Sequence, residues 1–172
     1  LTFEKDLQAG RYKIFNSEGV VKGDNIQTAY TDWFGVVGDG YSYNENSLDL
    51  CGKKYAVNGV SYLYGVGASP TVNYTDNTDA INKTININAR KTVITNSGNG
   101  VLMVDTLKSV NFKNKKSQNL IMEATLKAIK NTTKNGRVLL AENIDDCVIE
   151  FTESGQIVGE LLEHDFSDNT YP

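Results

Sequence analysis

Val101-Leu102-Met103-Val104-Asp105-Thr106-Leu107-Lys108 is followed nineteen positions later by Leu120-Ile121-Met122-Glu123-Ala124-Thr125-Leu126-Lys127, and Met, Thr, Leu and Lys recur at matching places. The same step links Val110 to Ile129 and Val148, Leu120 to Leu139, and Glu123 to Glu142. A single short repeat cannot bury its own apolar face, whereas stacked repeats bury it against one another. The step predicts four coils, 87–105, 106–124, 125–143 and 144–162, each a short apolar strand, a polar turn and a second strand. The turns are expected at 95–100, 114–119, 131–136 and 152–156, where Asn, Lys, Ser, Thr and Gly collect. The same columns argue against a helix over 120–130, although the apolar spacing there would suit one. At about 4.8 Å between stacked strands, four coils rise roughly 19 Å. No hexapeptide rhythm is present, which favours a right-handed over a left-handed winding; an antiparallel β-sandwich is the alternative.

The expected fold class is therefore all-β: a right-handed parallel β-helix (solenoid) preceded by a small β amino-terminal element. Residues 1–32 form that element or anchor, 33–84 lead into the β-helix, and 85–172 form its coils. The chain opens on Leu1 rather than Met and ends on Asp168-Asn169-Thr170-Tyr171-Pro172, so a piece of something longer is expected.

With 172 residues and 40 % hydrophobic content, one substantial core is possible. Apolar runs such as Val101 to Val104 are too short for a bilayer span, so no membrane insertion is expected. A net charge of −4 with interspersed signs lacks the basic stripe that phosphate neutralisation needs, so nucleic acid is not an expected partner. The basic run Lys113, Lys115 and Lys116 lies among Asn and Ser and reads as a solvated turn. Cys51, Cys147 and the lone His164 have no metal-ligand spacing; no cofactor is expected, and the cysteines read as thiols rather than a disulfide.

A glycine-dense segment precedes the repeat: Phe34-Gly35-Val36-Val37-Gly38-Asp39-Gly40, then Tyr41-Ser42-Tyr43-Asn44-Glu45-Asn46-Ser47. It resembles the Phe-Gly-Ala-x-Gly-Asp-Gly-x-x-Asp-Asp-Thr motif of the pectate-lyase-like β-helix superfamily, which includes bacteriophage tailspikes and capsule depolymerases. Asn44 and Glu45 stand where that family carries an Asp pair, and Ser47 to Leu50 is too short for the helix that usually follows. Gly52-Lys53-Lys54-Tyr55-Ala56-Val57 is similar to the family's next strand. The resemblance implies a homotrimeric spike on the virion tail, in contact with other tail proteins, that binds and in its full length may depolymerise a bacterial surface polysaccharide. A secreted bacterial polysaccharide lyase or hydrolase of the same fold, or a non-catalytic virion attachment module, is the alternative.

Hydrolysis of a polysaccharide wants two carboxylates, and stacked coils would place Glu123 and Glu142 in one column, with Glu160 extending it. Close like charges raise a carboxyl pKa, as a general acid requires. The plainer reading of the same column is a solvated carboxylate ladder. Ile121, Leu140 and Val158 would form an apolar row beside it, suited to cover by a neighbouring subunit. His164 between Glu163 and Asp165 reads as a surface histidine, since adjacent residues on a strand face opposite ways. Asp145 and Asp146 with Arg137 are a thin version of a lyase's calcium site. Tyr41, Tyr43, Tyr55, Tyr62, Tyr64 and Tyr74 could stack on sugars but suit packing better, and the sequons at Asn73, Asn82 and Asn131 are expected by chance in an Asn- and Thr-rich chain.

Overall fold

In the computed structural model, residues 1–16, 18–40, 54–57, 60–63, 75–95, 101–129 and 137–158 are described. The elements are short: β1 (Thr28–Tyr30), a 3-10 turn (Thr31–Phe34), β2 (Lys54–Val57), β3 (Val60–Leu63) and, among the described residues, one α-helix, α1 (Thr78–Ile85). After α1 come β4 (Lys91–Ile94), β5 (Leu102–Val104), β6 (Val110–Lys113), β7 (Asn119–Met122) and β8 (Thr125–Ala128). The last are β9 (Leu139–Glu142), β10 (Ile149–Phe151) and β11 (Gln156–Val158).

Apart from the antiparallel pair β2–β3, every named strand lies in a parallel sheet. The sheets have the orders β1-β4-β7-β10, β5-β8-β11 and β6-β9. From β4 onward the chain visits them in strict rotation, first sheet, second, third and first again. The level below is built differently. Asp76 bridges in parallel to Met103 at the foot of the second sheet, and α1 packs under β6 at the foot of the third. Asn82 in α1 closes that foot by imitating a strand: its Oδ1 accepts from Asn111 N at 2.7 Å and its Nδ2 donates to Ser109 O at 2.9 Å. The sequon at Asn82 is thus spent on packing.

Alternation along these strands sends one set of side chains inward, where they stack in columns. Thr92, Leu120 and Ile149 form one column; Ile94, Met122 and Phe151 another; Leu102, Leu126 and Ile157 a third; Phe112 stacks under Ala141. The lower two members of the three-residue columns are fully buried, while Phe151 and Ile157 at the top are 48 % and 39 % exposed. Burying one such side chain contributes about 1.5–3 kcal/mol, so the columns are the main source of cohesion. The corners between strands need a backbone that turns sharply, and Asn88, Ser109, Asn114, Ser117, Asn143 and Asp146 all adopt positive φ there. Asn and Asp tolerate that region better than other side chains.

The register corrects the nineteen-residue step. Partners on adjacent levels lie 28 residues apart from Lys91 to Asn119, 29 from Val110 to Leu139, 24 from Leu102 to Leu126 and 31 from Thr125 to Gln156. Val110, Ile129 and Val148 are not stacked: Val110 opens β6, Ile129 follows β8 and Val148 precedes β10. A step of nineteen is about two thirds of the 24 to 31 residues between register partners, so it compares apolar positions on different sheets. The four coil boundaries fall with it. The apolar row also dissolves, since Ile121, Leu140 and Val158 belong to β7, β9 and β11 in three sheets, and Ile121 is buried. The expected amino-terminal element 1–32 and lead-in 33–84 already contribute to the parallel sheets, through β1 and Asp76, and the boundary expected at 84/85 falls in the last turn of α1. The strand reading of 120–130 agrees with β7 and β8.

A second apolar cluster lies under the first. Trp33, Phe34, Ile26, Ala29, Ile87 and Ala89 are buried there, and the amino-terminal segment folds across them through Phe3, Leu7, Ala9, Ile14 and Phe15. Gly35 takes a left-handed φ of 75°, and Gly40 bridges to Val101 so closely that a Cβ would sit 2.6 Å from Val101 O. Two glycines of the motif therefore have a backbone reason. Asn77, 1 % exposed, ties this segment down: its Oδ1 accepts from Val37 N at 2.8 Å and its Nδ2 donates to Val37 O.

Asp76 Oδ1 accepts the backbone N–H and hydroxyl of Thr78 at the start of α1, and Lys108 Nζ lies 3.2 Å from its Oδ2. Burial alone would raise the Asp76 pKa, but the Thr78 bonds and Lys108 outweigh it and hold the carboxyl below the ordinary aspartate value. A depressed carboxyl pKa gives stability that is present above the unfolded value and lost as pH falls through the folded one. Asp76→Ala should therefore cost about 1 kcal/mol at neutral pH, the scale of a lost helix-start acceptor, and should flatten the acid limb of a pH–stability curve measured by urea unfolding.

Candidate functional site

Glu123 and Glu142 do not share a column. Glu123 follows β7 on the first sheet and pairs with Arg11 at 2.8 Å; Glu142 ends β9 on the third and pairs with Lys113, its register partner, at 3.1 Å. The residue stacked beneath Glu142 is a cation, so the expected like-charge pair is absent between these two. Arg11 also places its guanidinium 5.2 Å from the centroid of the Tyr30 ring. Glu123 thereby anchors the amino-terminal segment to the sheets.

Asp145 pairs with Lys116 at 3.4 Å and Asp146 accepts from Ser117 Oγ at 3.0 Å, while the Arg137 backbone N–H donates to Thr106 O. Among the described residues no group of three His, Cys, Asp or Glu side chains could hold a metal ion. Cys147 is a free thiol. Cys51, His164, Glu160, Asn73, Asn131, the segment 41–53 and Tyr64 and Tyr74 lie outside the described residues. Tyr55 and Tyr62 are register partners in the β2–β3 pair. No helix among the described residues is long and apolar enough to cross a membrane.

Two concave features carry chemistry. The first is a cleft of about 370 Å³ between the amino-terminal segment and β1, the edge strand of the first sheet, lined by Asp6, Gln8, Tyr12, Gln27, Thr28 and Tyr30 among others. Tyr12 stands 60 % exposed. Tyr30 is fixed edge-on against the buried Trp33, with ring centroids 5.9 Å apart. Asp6 is held by accepting the Gln27 backbone N–H at 2.9 Å. A flat ring ringed by amide and carboxylate groups can stack on a sugar face and bond its hydroxyls. Sequence reasoning passed over this cleft because its two tyrosines stand apart from the dense tyrosine run that follows residue 40.

The second is a groove of about 650 Å³ at the corner between the third and first sheets, lined by Asp24, Asn88, Arg90, Asn114, Lys115, Lys116, Ser117 and Gln118. Lys115 corrects the solvated-turn reading of the basic run. It is 8 % exposed, and its Nζ donates to Ile85 O, Asn86 Oδ1 and Asn88 Oδ1 at the carboxyl end of α1. A cation suits the negative end of a helix. Burial pushes its ammonium below the ordinary lysine pKa, with the Cys147 sulfur opposing. A signal for this corner was present in the sequence: Asn88, Ser117 and Asp146 recur every 29 residues at left-handed positions, as do Asn114 and Asn143, whose amides bond at 3.2 Å.

No protein-family model, curated protein or solved structure matches this chain.

Proposed function

We propose that this chain is the amino-terminal part of a tailspike-like attachment protein whose three parallel sheets wind as a right-handed β-helix and which binds a bacterial surface polysaccharide. The observation that carries the binding reading is the cleft of Tyr12, Tyr30, Asp6, Gln8 and Gln27 at the edge of the first sheet. The β-helix reading is supported by the rotation of the chain through three sheets and by the two glycines of the Phe34–Gly40 motif, and its right hand by the strong bias of crossovers between parallel strands. The homotrimer, the virion-tail location and contact with other tail proteins rest on the motif resemblance, now that no apolar row of Ile121, Leu140 and Val158 supports a subunit contact.

Binding is favoured over cutting by this segment, because Glu123 and Glu142 lie on different sheets and each is paired with a cation, Arg11 and Lys113. Isothermal titration with neutral oligosaccharides released from a host capsule tests the reading. Tyr12→Ala should weaken binding about five- to tenfold, in line with loss of an aromatic contact of about 1 kcal/mol. Glu123→Gln and Glu142→Gln should leave affinity unchanged, and no reducing ends should appear on incubation. Reducing ends that vanish in either Gln variant would restore the carboxylate pair as catalytic.

A further inference from the structure

We propose that the corner groove bounded by Arg90, Lys115, Lys116 and Gln118 binds an oxyanion, a carboxylate or phosphate group carried by an organic molecule. Three cations line the groove against one acid, Asp24. Lys116 is offset by Asp145 at 3.4 Å, but both side chains are more than 70 % exposed, and such pairs are weak. Among the described residues neither Arg90 nor Lys115 has a carboxylate within ion-pair distance.

Lys115 is the decisive residue. The residue is 8 % exposed, and among the described residues the three acceptors of its ammonium are all neutral oxygens. The carboxyl end of α1 supplies roughly half a negative charge, which explains why a cation sits there and leaves the corner positive. A buried charge without a counter-charge is costly, and an anion entering from the groove removes that cost. Gln118 adds a second unmet demand. It is 3 % exposed, its Nε2 donates to Ile85 O and Thr92 Oγ1, and its Oε1 has no donor among the described residues. A ligand that carries hydroxyl donors a few bonds away from its anionic group answers both, whereas inorganic phosphate can offer a P–OH only from the group the cations hold. Arg90 presents a planar fork suited to either oxyanion, and Lys116 a mobile charge at the rim.

The test is a titration of the isotopically labelled chain at low salt with three probes, glucuronate, glycerol 1-phosphate and inorganic phosphate, read on the backbone amides of residues 88–90 and 114–118. Saturable shifts confined to those amides are expected with glucuronate or glycerol 1-phosphate, and whichever binds identifies the oxyanion. Arg90→Ala and Lys116→Ala, both at accessible positions, should each weaken binding at least tenfold, and raising salt should weaken it further. Lys115→Met should abolish it if the variant folds; the two accessible variants decide the matter in any case. The proposal is overturned if neither organic probe gives saturable shifts, if inorganic phosphate binds as well as or better than both, or if the Arg90 and Lys116 variants bind like the wild type. None of these outcomes touches the tyrosine cleft, whose neutral ligand is measured separately with Tyr12→Ala.

Discussion

Replacing Phe112 by alanine is expected to lower folding stability by about 3–5 kcal/mol, the cost of emptying a fully buried aromatic site. Phe112 is fully buried in the main cluster, under Ala141 and against α1. Neither neighbour can fill the space, since one is a methyl group and the other is pinned to β6 by the Asn82 amide. Phe151→Ala is the matched control. It has the same side chain in an inward column, but at the top level, 48 % exposed, and it should cost less than about 1 kcal/mol. Urea unfolding of the two variants measures the difference as a shift in midpoint at constant slope. Equal costs would mean that the top level is covered and that the columns do not end as described.

Trp33→Ala should cost a similar 3–5 kcal/mol, but by loosening a different part of the molecule. The indole packs edge-on to Phe15 and Tyr30, and its Nε1 donates to Gly10 O at 2.9 Å. Its own carbonyl accepts from both Ile14 N and Phe15 N. Loss of the ring removes the floor on which residues 1–16 lie. Hydrogen exchange should then show the Ile14 and Phe15 amides unprotected, while the amides of Val110 and Leu120, bonded to Val138 O and Val148 O, exchange only with global unfolding. Uniform loss of protection would contradict the division into two clusters.

Strands, polar turns and parallel stacking were legible in the sequence because inward residues such as Leu102, Met122 and Leu126 must be apolar wherever the core runs. The number of parallel sheets was not. Each strand is three or four residues long, so strand and turn alternate in the same way whether the strands are shared between two parallel sheets or three. Apolar identities then matched across faces at nineteen residues. What distinguishes the true step is the corner, where Asn88, Ser117 and Asp146 hold left-handed backbone. These are polar surface residues, and a search for apolar columns passes over them. The helix α1 was missed for a related reason: Thr78, Asn82 and Thr84 are weak helix formers, and the helix is held by tertiary bonds through Asn82 and Lys115 rather than by propensity. The cleft and the groove join segments far apart in the chain, Asp6 with Tyr30 and Asn88 with Lys115, so neither had a local motif to reveal it.

The register itself is the claim on which the rest stands, and one cross-linking measurement tests it. In a Cys51→Ser, Cys147→Ser background, Lys113→Cys with Glu142→Cys places two thiols on directly paired residues of β6 and β9, 29 positions apart. Paired parallel strands lie about 4.8 Å apart, inside the Cα range of about 4.4–6.8 Å that a disulfide spans. Mild oxidation should join this pair within one chain, seen as a mobility shift on non-reducing gels and a mass loss of two hydrogen atoms. Glu123→Cys with Glu142→Cys, nineteen positions apart and on different sheets, should stay reduced. Cross-linking of the second pair and not the first would contradict the three-sheet register and return the two glutamates to one column.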